Sequence, residues 1–423
     1  MGEGILAESD RRRRPAGRRW PQAAITRWGS RELKWLLVVG AVLVVPWVGP
    51  RILSLACFNR GEVARVKAGP GLTVGVHERM PRAYQMAIAA DPGNYLPYLG
   101  YGHWLLDRGD PPAAMPWLEQ AVALNPSSRV AHFFLGIASL EQGQMERATA
   151  QFRQSDVRAG YLMSRAWQEV LQTREQAGPD RDWTPAERYY QAAVALQPES
   201  FALWSYLANF YVYSPRDYER ALTTLRAAAE ALPASPAPHQ RAARLLWDQW
   251  RDARGAVAEL EAAVRLDPGD IGSYLLAADI LLKERDVSGA EGWLRRALSV
   301  APRNPEVHFR LGDLYLDQER APQAIRELQA ATAGAPGEAS YQARLAEALQ
   351  TMGLQADAIQ AAERAAALAP EVAGYQRLLG ELYRQSGQRK RAVAAYRRAL
   401  ALDPGDAGAR EALQALDPTL EKP

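Results

Sequence analysis

Catalysis or metal binding needs side chains that converge, and few residues of this chain can. The five histidines, His77, His103, His132, His239 and His308, stand far apart, and none forms an H-E-x-x-H or similar pair. Cys57 is the only cysteine, which excludes an intramolecular disulfide framework and every multi-cysteine metal site. No nucleophile elbow and no phosphate-binding glycine loop occurs. Asp313 and Asp317 stand one helical turn apart, but that spacing arises by chance on most charged helices. The expectation is a chain that is not an enzyme and has no cofactor or metal.

The elements that position these residues begin with a charged tail. Residues 1–34 carry nine basic and four acidic groups, so the tail is +5 and the remainder of the chain is −2. The large C-terminal part is therefore near neutral, which argues against nucleic acid as a partner, since that needs a basic face on the fold itself. The Arg11–Arg14 cluster offers anionic lipid a site instead.

Trp35 to Pro50 is an unbroken run of sixteen uncharged residues. At 1.5 Å per residue it spans about 24 Å, short of the roughly 30 Å hydrocarbon core. Arg51 follows, then a second apolar stretch from Ile52 to Phe58, and a snorkelling Arg51 lets the whole cross. Residues 35–58 read as an uncleaved transmembrane helix or signal anchor. The alternative is processing before Cys57, for which Ser54 and Ala56 supply small residues. Basic residues near the span are almost balanced, and the arginine cluster tips the N-terminus toward the cytoplasm. The C-terminal part is then extracytoplasmic; the opposite orientation places it in the cytoplasm. Residues 59–80, with Gly69-Pro70-Gly71, read as a linker.

Beyond residue 80 the chain repeats. Prolines recur at Pro92, Pro126, Pro198, Pro233, Pro268, Pro302, Pro336, Pro370 and Pro404, at intervals of 34 or 35 apart from one of 72. Before each lies an alanine-rich helix pattern, as in Ala290-x3-Leu294-x2-Ala297 and Ala324-x3-Leu328-x2-Ala331, whose spacing puts the apolar residues on one face. After each comes a second amphipathic helix, as in Leu311-Gly312 then Tyr315, or Leu379-Gly380 then Tyr383. Turn signals such as Gly353 and Gly387-Gln388 separate the pair, and each proline closes a helix. The unit at 161–200 departs from the pattern: it lacks the Leu-Gly pair and carries the loop Gly178-Pro179-Asp180-Arg181-Asp182. Ala362 stands where a large residue is usual.

This pattern resembles the tetratricopeptide repeat family, in its membrane-anchored bacterial form. The resemblance covers about 95–404 and implies an all-α, right-handed α-solenoid of about nine helix hairpins over 81–404, preceded by the transmembrane helix. Residues 405–423 then form a capping helix and tail. It also implies a concave groove, lined by the first helices, that holds a protein or peptide. By repeat offset the groove takes Ser205, Asn209, Tyr213, Gln240, Arg244, Trp247, Asp279, Asp313, Asp317, Glu347, Arg377, Glu381 and Arg384. Family members that hold a C-terminal carboxylate do so with lysines and asparagines on adjacent repeats; Asn209 alone fills such a place, so that clamp is not expected. Tyr213 and Trp247 are the expected aromatic anchors. The function implied is a non-catalytic, membrane-anchored scaffold for protein–protein interaction. The alternative is a regulatory or substrate-recruiting subunit of an envelope glycan-synthesis complex.

Overall fold

The computed structural model describes Ser54, residues 79–176 and residues 181–416. The anticipated anchor at 35–58 lies outside these residues save Ser54, as does the tail, and so does the linker up to residue 78. Among the described residues no helix is long and apolar enough to cross a membrane.

Those residues form helices and no strands, in two compact units divided between Val157 and Arg158. The first unit opens with α1 (Arg79–Ala90) and continues in two hairpins. These are α2 (Tyr95–Asp107) with α3 (Pro111–Leu124), and α4 (Arg129–Glu141) with α5 (Met145–Ser155). Tyr84 of α1 is fully buried and stacks on Tyr101 of α2, their centroids 5.8 Å apart.

Seven hairpins make the second unit. They are α6 (Ala159–Glu175) with α7 (Thr184–Leu196), α8 (Phe201–Tyr213) with α9 (Tyr218–Ala231), and α10 (Ala237–Leu245) with α11 (Ala253–Leu266). Next come α12 (Ile271–Lys283) with α13 (Val287–Val300), and α14 (Pro305–Asp317) with α15 (Ala321–Gly334). The last two are α16 (Ala339–Thr351) with α17 (Gln355–Leu368), and α18 (Ala373–Gln385) with α19 (Arg389–Leu402). The helix α20 (Ala407–Leu416) packs on α18 and α19, burying Ala409 and Leu413.

The proline period sets these boundaries. Regular hairpins start three residues after the proline, because proline cannot donate into the preceding helix. Asp270, Asp286 and Asn304 then cap the next helix through their side chains; Asp286 Oδ1 accepts from the Gly289 amide at 2.9 Å. The apolar stripe of each second helix is fully inside: Ala324, Leu328 and Ala331 are all at 0% exposure. Small residues let the first helix approach. A Cβ added to Gly312 would stand 2.7 Å from Leu328 Cγ and 3.2 Å from the Leu328 amide nitrogen, so a side chain there has no room. Within the second unit each second helix packs on its own first helix and on the first helix of the next hairpin, the nearest-neighbour arrangement of a repeat array.

Two hairpins of this unit run one residue long, and each absorbs the extra residue locally. The α8–α9 turn spans four residues, 214–217, where α12–α13 and α14–α15 use three. At α10 the helix widens instead into a π-helical turn, Leu246–Trp250.

Candidate functional site

Counting from the proline shows what His132, His239 and His308 do. The residue six places on contacts that proline's carbonyl: Tyr98 Oη donates to Pro92 at 3.3 Å and Trp204 Nε1 to Pro198 at 2.8 Å. His132 Nε2 lies 2.9 Å from the Pro126 carbonyl oxygen, and His308 Nε2 lies 3.0 Å from that of Pro302. The other ring nitrogen meets the second helix of the same hairpin. His132 Nδ1 lies 2.6 Å from Gln151 Oε1, His239 Nδ1 2.7 Å from Glu259, and His308 Nδ1 2.7 Å from Glu327. These rings are hairpin braces. Among the described residues no group of three or more His, Cys, Asp or Glu is placed to hold a metal ion.

The first-helix face of the second unit carries a ladder. The residue eleven places after one proline reaches the residue eight places after the next. Arg241 donates to Asn209 Oδ1, Arg310 pairs with Asp279 at 3.1 Å, and Arg344 pairs with Asp313. Arg344 also holds Asp317 at 3.2 Å and Glu347 of its own helix at 2.7 Å. Burial alone would lower its pKa, but the Glu347 hydrogen bond and the Asp313 charge outweigh it and raise the value above the ordinary one. Three of the anticipated groove residues, Asp313, Asp317 and Glu347, thus share one guanidinium, and each has a partner within the array.

The ladder breaks at Arg244. Its register partner on the next hairpin is Leu276, and among the described residues this exposed guanidinium has no hydrogen-bond or ion-pair partner. Two clefts meet at it. One of about 300 Å³ includes Phe201, Gln240, Asp270 and Leu276; the other, about 210 Å³, includes Asn209, Tyr213 and Asp248; Arg241 and Arg244 line both. Tyr213 is 68% exposed and Tyr206 is 55% exposed, so two large rings stand in solvent on the same helix, α8. Asp270 is occupied, accepting from Gln240 at 2.6 Å.

The remaining anticipated residues divide. Ser205 is half-buried on α8. Trp247 is corrected: it is buried at 6% exposure, with Arg251 Cζ 5.0 Å and Lys283 Nζ 5.8 Å from its ring centroid. It lies in the π-helical turn, which brings Leu246 and Trp247 inside and leaves Asp248, Gln249 and Trp250 exposed. Arg377 lies 3.6 Å from Asp406, tying α18 to the chain before α20. Glu381 and Arg384 form no ion pair among the described residues. Tyr206, Arg241 and Arg344 were missed by repeat offset. The signal for Arg344 and Arg310 is present in the sequence as a cation 31 residues after an aspartate.

Four segments match models described as tetratricopeptide repeat. Residues 102–160 and 241–306 match one, 281–349 a second, and 373–406 a third. The chain therefore carries tetratricopeptide repeats. Solved structures similar to it include YrrB, described as a TPR protein with an unusual peptide-binding site. That match has 20% identity over 44% of this chain and 96% of that one, with a TM-score of 0.39. Another is the APC/C hetero-tetramer Cut9–Hcn1, at 14% identity over 81% of this chain and 60% of that one, with a TM-score of 0.39. A third is MamA from Desulfovibrio magneticus RS-1, at 19% identity over 41% of this chain and 97% of that one, with a TM-score of 0.37. No curated protein matches the chain.

Proposed function

We propose that this chain is a non-catalytic docking scaffold, and that its partner engages the first-helix face around Arg244, Tyr206 and Tyr213. The observation that carries the reading is the break in the ladder. Asn209, Asp279 and Asp313 each meet an arginine of the next hairpin, whereas Arg244 has no such partner, is exposed and lines two clefts, one of them shared with the exposed Tyr213. Arginine and tyrosine are the residue types that dominate interface energy, and an unpaired guanidinium selects a carboxylate-bearing segment. The apolar run at 35–58 and the arginine-rich tail support a membrane anchor, with the repeats on the extracytoplasmic side.

Photo-crosslinking from position 213 in native membranes identifies the partner segment. With that segment in hand, Arg244→Ala and Tyr213→Ala are each expected to weaken binding by about tenfold or more. Joint replacement of Asp313, Asp317 and Glu347 by Asn or Gln should leave it nearly unchanged. The reverse ranking would move the binding face to the C-terminal hairpins. For the anchor, deletion of residues 1–58 should release the chain from carbonate-washed membranes; a full-length chain recovered in the soluble fraction would sink that part.

A further inference from the structure

The cleft of about 300 Å³ between α10 and α12 holds three polar groups that the chain leaves unspent. Five places after the proline, α8 and α14 bury an apolar side chain, Leu203 and Val307. In α12 that place holds Ser273, which is 2% exposed and whose Oγ has no hydrogen-bond partner. A buried hydroxyl left unpaired is costly, and a ligand that accepts from it removes the cost. The second group is Asp270. Its Oδ2 accepts from Gln240 Nε2 at 2.6 Å and from the Ser273 amide at 3.2 Å, while among the described residues Oδ1 accepts no hydrogen bond. Gly272 leaves that oxygen open, since a Cβ there would stand 3.3 Å from it. The third group is the guanidinium of Arg244. Arg241, the other cation in the wall, donates to Asn209.

We infer that this cleft binds a free α-amino acid with an apolar side chain. One ligand has to answer a cation, an anion and a buried hydroxyl together. A simple carboxylate or phosphate suits Arg244 and Ser273 but sets a second anion against Asp270; a simple amine suits Asp270 and is repelled by Arg244. An α-amino acid carries both charges on one carbon. Its carboxylate accepts from Arg244 and from the Ser273 hydroxyl, and its ammonium donates to Asp270 Oδ1. The bond from the Ser273 amide to Asp270 keeps hydroxyl and carboxylate side by side, as so short a ligand requires. A polypeptide end brings only one of the two charges, the N-terminus an ammonium and the C-terminus a carboxylate. Phe201 and Leu276 line the remainder and suit an apolar side chain; Leu276 stands where later hairpins place Arg310 and Arg344. The volume lies at the lower end of the roughly 300–1,000 Å³ of ligand sites, as a single amino acid needs. The ligand shares Arg244 with the docking proposed above and should compete with the partner. That competition rests on the docking reading, whereas the binding itself does not.

The test is calorimetric titration of the full chain, without partner, with L-leucine, N-acetyl-L-leucine and L-leucinamide. The acetyl compound keeps the carboxylate and lacks the ammonium; the amide does the reverse. Leucine should bind at least about tenfold more tightly than either. Ser273→Val installs the residue that α14 carries at this place, so the variant should melt no lower than the natural chain and bind leucine at least about tenfold more weakly. Arg244→Gln alters an exposed side chain and should weaken leucine similarly, which serves as the reading where Ser273→Val misfolds. No binding of leucine at about 10 mM, weaker than any ordinary ligand affinity, overturns the proposal. Equal affinity for the acetyl compound also overturns it and marks a carboxylate site, and equal affinity for the amide does so by marking an amine site. Undiminished binding to the folded Ser273→Val chain, or to Arg244→Gln, overturns it as well.

Discussion

In three hairpins one tyrosine does more than fill space. Tyr211, Tyr315 and Tyr383 each reach a glutamate of the preceding second helix: Glu187 at 3.0 Å, Glu291 at 3.1 Å and Glu363 at 2.6 Å. An arginine in or capping the following helix covers each ring, with Arg220 at 4.5 Å, Arg320 at 4.2 Å and Arg391 at 5.6 Å from the centroid. Burial, reinforced by the neighbouring carboxylate, pushes the Tyr211 and Tyr383 hydroxyls up to about 12. The unfolded chain releases these protons near pH 10 while the folded chain keeps them. The folded state thus binds more protons between pH 10 and about 12, and stability falls as pH rises through that window. Denaturant titrations across pH 9–12 should show this fall, and Tyr211→Phe with Tyr383→Phe should flatten it. At Gly312 the effect is steric. Gly312→Leu drives a side chain into Leu328 and should cost roughly 1–3 kcal/mol, read as a lowered Tm.

At the scale of the element, the hairpin turn imposes a left-handed residue before the second helix in eight of the hairpins. Glycine meets that demand at Gly109, Gly143, Gly353 and Gly387, but Arg216, Arg251, Arg285 and Glu319 adopt it with φ between 54° and 62°. For a residue with a Cβ this conformation is strained by about 1 kcal/mol. Arg285→Gly and Glu319→Gly should therefore each stabilise by up to about 1 kcal/mol, while Gly353→Ala should lose a similar amount, all measurable by urea melts. The turns were legible in the sequence where glycine marks them. Arg251 and Glu319 show why others were less so: the period, rather than the residue type, fixes the geometry there. The ladder was half legible. Repeat offset finds Asp279 and Asp313, but the partner sits one hairpin on and one turn earlier, a stagger that helix packing sets and a count of residues does not. Trp247 misled because the count assumes a uniform α-helix, and the π-helical turn rotates that ring inward.

Over the whole second unit, stability is expected to be a sum of neighbour interfaces. The C-terminal end is the place to see it. α20 covers α18 and α19, and Asp406 meets Arg377. Deleting residues 405–423 should raise hydrogen exchange most in α18 and α19, less in α16 and α17, and least in α8 and α9. Uniform loss of protection across all seven hairpins would mean one cooperative block instead. The nine hairpins themselves, two in the first unit and seven in the second, follow from the proline period.

The widened turn at Leu246–Trp250 bears on how such an array can change through its history. One additional codon in a straight helix swings everything downstream by about 100°, turning buried stripes toward water. Here the surplus is swallowed within five residues, and the prolines from Pro268 to Pro404 resume strict intervals of 34. The same accommodation occurs in the longer turn after Tyr213. Single-residue length variation is thus survivable at the distal ends of first helices. Both places adjoin Arg244 and Tyr213, so the length changes this architecture tolerates fall where they would reshape what the face can recognise, leaving the interfaces that hold the repeats together untouched.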